Sequence, residues 1–160
     1  RIVYGAESSV SDYEGHLDFP DKECAALDWI IGSVHLDILQ SGTLVQNTET
    51  YLGLAENPLV DVIGHCAATK FVFDYETGIK ESTLLWKNAE GNYRKIIPLC
   101  KKYGVNVIVN TDAHFYTSVG QVSQSMKLLE EYDYPEELIV NLSGERILER
   151  LRRKNKEIFR

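Results

Sequence analysis

Short, mainly apolar runs alternate along this chain with longer stretches whose apolar residues recur at helical spacing. Residues 2–6, 29–34, 60–64 and 105–109 have the length and mainly apolar character of buried strands. Between them lie helical patterns. One helix is expected to begin near Pro20 and Asp21, where proline suits the first turn. A second covers residues 48–56 and is closed by Pro58. A third, over 89–103, places Ile96, Ile97, Leu99, Cys100 and Tyr103 on one face, with Pro98 as a kink or boundary. It ends at Gly104, where a left-handed residue is wanted. Residues 119–132 repeat the amphipathic pattern through Val122, Met126 and Leu129, and 138–140 read as a short strand. Ser143 is placed to cap a closing helix that turns Leu148 and Leu151 inward and leaves Arg146, Arg150, Arg152, Arg153 and Lys154 in water. The stretch 67–87 shows no clear period. Strands alternating with helices predict an α/β fold on a parallel sheet, open or closed into a barrel, in a single domain over 1–160.

The strand pattern carries a second regularity. Each of four apolar runs stops on a residue able to bind a metal ion: RIVYGAE on Glu7, WIIGSVH on His35, VDVIGH on His65, and VNVIVNTDAH on Asp112 and His114. A parallel strand delivers its last residues to the carboxyl edge of the sheet, the catalytic face of α/β barrels. In an extended segment residues two apart project to one side, so Asp112 and His114 can offer an oxygen and a nitrogen to one ion or to two neighbouring ions. An Asp–His hydrogen bond capping the loop is the plainer alternative. His35 and His65 each follow an apolar strand, where a single histidine is commonly just hydrogen-bonded. Glu7 sits where an uncompensated buried carboxylate would be costly. Four strands obeying one rule make a shared metal site the better reading. His16, in the loop SDYEGHLD, has no strand before it and reads as a solvated residue. Cys66 could serve as a soft ligand, but a small buried thiol is the preferred reading.

Composition narrows the partners. Seventeen Lys and Arg against 24 Asp and Glu give a net charge of -7, without the basic footprint of a nucleic-acid binder. Such acidity suits a protein holding several cations, and equally one that is merely soluble. Cys24, Cys66 and Cys100 are odd in number and widely spaced, indicating neither a disulfide framework nor a zinc finger. A reducing, cytoplasmic setting is therefore expected. The apolar runs are too short to cross a bilayer, so no membrane partner is expected. No signal peptide is visible, and because the chain opens on Arg1 inside an apparent strand, preceding residues are expected.

Taken in order, GAE with the following G-x-L-D loop, IIGSVH, DVIGHC and VNTDAH resemble the PHP family, the polymerase and histidinol phosphatase proteins, and most closely its stand-alone phosphoesterases. The phrase IVNLSGERILERL also resembles that family's end. The resemblance implies a distorted TIM-like barrel of seven β/α units with up to three divalent ions (zinc, manganese or iron) at the strand carboxyl ends. It implies Glu7 as a carboxylate bridging two metals, His35 and His65 completing one of those sites, Asp112 on the other bridged metal and His114 on a third ion. Glu7, Asp112 and His114 would then be catalytic, with cation-activated water attacking a small phosphorylated substrate. Two features depart from the family. Its upstream H-x-H strand is not in this sequence, leaving only the Glu7–His35–His65 site with its expected ligands. FVFDYETGIKE also runs almost directly into STLLWKNAEGNYRKI, as though one internal β/α unit were missing, so the barrel is expected to be incomplete. GHC in place of GHP is a smaller change.

The leading expectation is hydrolysis of a phosphomonoester, histidinol phosphate or another small ester. A metallohydrolase of amide or amidine bonds would use similar rim ligands; a phosphatase should add cationic or amide donors, with Lys70 as a candidate. A degenerate domain serving as a non-catalytic binding module is the third reading, opposed by the retention of all five candidate ligands.

Overall fold

The computed structural model describes residues 2–80, 84–86 and 92–153. Its centre is a five-stranded sheet of β1 (Gly5–Ser9), β2 (Trp29–Ser33), β3 (Val62–Gly64), β4 (Leu84–Trp86) and β5 (Val107–Val109). All pairings are parallel and the spatial order is the chain order. Past β5 the chain returns for one further parallel bridge, Val107 with Ile139. The α/β fold on a parallel sheet is thus as the alternation predicts. Because every strand runs the same way, every carboxyl end reaches the same edge.

Helices α1 (Asp21–Ala26), α2 (Leu44–Glu56), α3 (Tyr75–Gly78) and α4 (Tyr93–Tyr103) connect successive strands, and α5 (Ser123–Glu131) and α6 (Gly144–Arg153) follow the sheet. Pro20 stands at the N-cap of α1. Helix α2 begins four residues before the expected start. Thr43 accepts from the Gln46 N–H while the Gln46 side chain accepts from the Thr43 N–H, a capping box that satisfies two orphan donors. Pro98 is accommodated inside α4, and Gly104 closes it at φ 64°, the left-handed geometry expected there.

Several expected boundaries move. The first strand is Gly5–Ser9 rather than 2–6, because Gly5 pairs with Trp29 and pairing then continues to Ser9. Residues 119–122 precede α5 instead of belonging to it. Residues 138–140 form no strand: two 3-10 turns, Glu136–Leu138 and Val140–Leu142, flank the single bridging residue Ile139. The stretch without a period holds α3 and β4. On α6, Ser143 does accept the Glu145 N–H, but Leu148 is 40% exposed while Leu151 is buried. The inward pair is Ile147 with Leu151, one helical turn apart. Arg146 and Arg150 are half-buried rather than wet, Arg150 donating to the Asp61 carbonyl at 2.6 Å. The expected helix start at residue 89, Lys154 and the Arg153 side chain lie outside the described residues.

Two apolar layers sandwich the sheet. Val34, Ile63, Leu84, Val107 and Val109 pack with Tyr51 and Leu54 of α2, Ile96 and Ile97 of α4 and Leu129 of α5. On the opposite face Val62 and Ile108 meet Val140, Trp29, Ile31 and Ile147. Alternation along each strand divides the residues between these layers. Among the described residues no helix is long and apolar enough to cross a membrane.

Candidate metal centre

Three strand ends meet at one point of the carboxyl edge. Ser9 of β1 lies beside Ser33 of β2, which lies beside Gly64 of β3. Register partners in parallel strands project to a common face, so Glu7 and Ser9 share a face with Ser33. Glu7 is therefore within β1, not at its end, and its longer side chain reaches along the strand to the edge. His35 follows β2 by two residues, in a tight turn where its carbonyl accepts the N–H groups of Ile38 and Leu39. His65 follows β3 directly at φ 54°, a left-handed conformation uncommon for a residue with a side chain. Its carbonyl is held by the Tyr51 hydroxyl at 3.2 Å and the Ala68 N–H at 3.0 Å.

The side chains converge. Glu7 Oε1 is 3.1 Å from His65 Nε2 and 3.5 Å from His35 Nε2. The two imidazoles meet edge to face with centroids 4.8 Å apart. One donor atom from each of the three residues falls within 4.8 Å of the others. A tetrahedral ion with N and O ligands at about 2.0–2.1 Å sets its donors roughly 3.3 Å apart, so these spacings fit one cation with little movement. Ser9 Oγ lies 3.0 Å from His35 Nδ1. With Nδ1–H donating to that hydroxyl, Nε2 keeps its lone pair for an ion, the usual supporting contact of a ligating histidine.

The field of this cluster favours the carboxylate. Hydrogen bonding to His65 holds Glu7 at a pKa of about 2 against an ordinary 4.5, with Ser33 and the charge of the two imidazoles acting the same way and partial burial opposing them. Asp18 braces β1 from the following loop, accepting the Ser8 hydroxyl and the Ser9 N–H at 2.8 Å each.

Of the five residues expected to gather, the structure brings together Glu7, His35 and His65. Asp112 and His114 follow β5 on the same edge, and among the described residues they do not join that group. Their segment is not extended. Asn110 accepts the Thr111 and Asp112 N–H groups, Asp112 sits at φ 49°, and His114 Nδ1 lies 2.9 Å from the Asp112 carbonyl rather than its carboxylate. The same-side projection expected of an extended D-x-H pair is thus replaced by a turn. Cys66 is sealed in the core, where burial pushes its thiol up to about 12. His16 is exposed as expected, but pairs with Asp12 at 2.8 Å, and with Glu14 these residues form a second, solvent-facing group of donors. Lys70 is exposed in the turn beyond β3. The strand-end rule does not select Ser9 or Ser33; the signal that points to them is spacing, Ser9 lying two residues after Glu7 on β1 and Ser33 two before His35.

No family model matches the chain. It is 34% identical to a probable phosphatase of Clostridium botulinum, the match covering 97% of this chain and 69% of that protein. Probable phosphatases of Caldicellulosiruptor saccharolyticus (35% identity, 98% and 71% covered) and Acetivibrio thermocellus (33%, 100% and 72%) match along nearly the same extent. The chain belongs to the family of these probable phosphatases. The first match extends over 168 aligned positions against 160 residues here, so that relative carries additional residues within the shared region.

Proposed function

We propose that this chain is a metal-dependent phosphoesterase of the polymerase and histidinol phosphatase type, which hydrolyses a small phosphomonoester with water activated by divalent cations. The observation that carries this reading is the convergence of Glu7, His35 and His65 at 3.1 and 3.5 Å, donor spacings suited to one ion. Kinship with probable phosphatases supports the reaction class. In this reading Glu7, His35 and His65 hold the first cation, and Asp112 and His114 serve further ions on the same edge. Zinc, manganese and iron all suit such mixed nitrogen and oxygen ligands. The bound cation supplies a lowered pKa for water and neutralises phosphate oxygens, which lets an acidic protein accept an anionic substrate. Ser9 keeps the His35 ring turned, and Glu7 offers an ionised carboxylate at neutral pH. The sequential parallel order of the five strands supports reading the sheet as an arc of the seven-unit barrel.

The test is phosphate release from p-nitrophenyl phosphate by the purified protein with added manganese or zinc. A chelator should abolish activity and manganese should restore it, while Glu7→Gln and His65→Ala should each lower kcat/KM by roughly 100-fold or more through loss of a ligand. No release from any phosphomonoester under these conditions would reject the proposal.

A further inference from the structure

We infer that Ser33 is a positioning residue for the Glu7 carboxylate, and that Gly64 is glycine so that the Ser33 hydroxyl has room to reach it. This rests on the metal reading of the Glu7–His35–His65 group and adds to it the residue that orients its one carboxylate.

Ser33 is 0% exposed, and its Oγ has no hydrogen-bond partner. Its register places it on the face of Glu7, and its hydroxyl is among the groups that lower the pKa of the Glu7 carboxyl. A buried hydroxyl without a committed partner is costly, and alanine would fill the same space without that cost. The neighbouring strand is shaped around this hydroxyl. A Cβ at Gly64 would lie 2.1 Å from Ser33 Oγ, closer than any real contact allows.

The chemistry of the ligands gives the hydroxyl its task. As the structure stands, both imidazoles direct Nε2 at Glu7 Oε1. A nitrogen that coordinates an ion has no proton to donate. Once His35 and His65 serve as ligands, neither can hold Glu7, and the unpartnered Ser33 O–H is a donor available to it on that face. Ligating carboxylates are oriented by such hydrogen bonds.

The test compares Ser33→Ala with the wild-type protein by zinc competition against a chromophoric chelator. Loss of the donor should weaken zinc binding roughly 10- to 100-fold. The thermal midpoint of the metal-free protein should stay level or rise, because an unpaired buried hydroxyl has been removed. Ser125→Ala removes another buried hydroxyl that lacks a partner, on α5, and should leave zinc affinity unchanged. Crystals of zinc-soaked Ser33→Ala should show Glu7 spread over several rotamers, whereas without metal the two histidines keep it in place. Wild-type zinc affinity in Ser33→Ala would overturn the inference, as would an equal loss in Ser125→Ala. Zinc binding by the wild-type protein is the separate check on the metal reading: its absence overturns that reading and the role of Ser33 with it, whereas wild-type binding that Ser33→Ala leaves unchanged overturns the role of Ser33 alone.

Discussion

Glu7 is a carboxylate among apolar neighbours in the sequence and lies against His35 and His65 in the fold. Its value lay in being a carboxylate among apolar neighbours, which is local information. Its position within β1 depends on pairing with β2, which is not. Its environment makes a pH prediction for the metal-free protein. The folded pKa, about 2, lies below the ordinary 4.5, so ionised Glu7 stabilises the fold fully above pH 4.5, and that contribution is lost as pH falls towards 2. Urea titrations across this range should show Glu7→Gln losing stability less steeply than the wild-type protein; parallel slopes would mean Glu7 is not held by the histidines. Asp112 and His114 mark the limit of residue-level reading. Their types and spacing were plain, but whether a D-x-H segment is extended is decided by Asn110, which folds the backbone into a turn.

At the scale of elements, strong periodicity marks an element in the sequence and weak periodicity does not. Helix α4 and strand β2 carry long, clean patterns, and the proline and glycine of α4 behave as expected. Strand β4 has three residues, too few to express a period, and is defined by its neighbours β3 and β5. On α6, Leu151 faces inward as expected but Leu148 does not, because Leu148 and Leu151, three apart, satisfy helical spacing as well as Ile147 and Leu151 do. Only packing against Trp29, Ile31 and Val62 chooses between them. The start of α2 carries its own local signal: Thr43 followed three residues later by Gln46 is a capping signature. Thr43→Ala should cost about 1 kcal/mol in chemical denaturation. A change below a few tenths would show that the box contributes little.

The whole molecule ties the core to the candidate site. Tyr51, fully buried on α2, stacks on Phe73 with centroids 3.9 Å apart and meets Phe71 edge to face. The same Tyr51 donates its hydroxyl to the carbonyl of His65, holding the left-handed residue that aims one proposed ligand. Phe73→Ala should therefore do two things. It should destabilise the protein by about 3–5 kcal/mol, the usual cost of emptying an aromatic core position, and it should weaken zinc binding by loosening Tyr51. Destabilisation with unaltered zinc affinity, measured well below the unfolding transition, would separate core from site.

Residue chemistry, strand and helix alternation and the carboxyl-edge rule are local or nearly local properties, and the sequence by itself determined them: an α/β chain with Glu7, His35, His65, Asp112 and His114 as its candidate ligands. The tertiary structure alone decided which of these meet. Register between parallel strands is set by long-range pairing and by small steric facts such as the space beside Gly64. A backbone turn at Asp112 or a left-handed residue at His65 is selected by hydrogen bonds from side chains that no periodicity reveals. Distances of 3.1 and 3.5 Å between groups far apart in the chain arise only when those constraints act together.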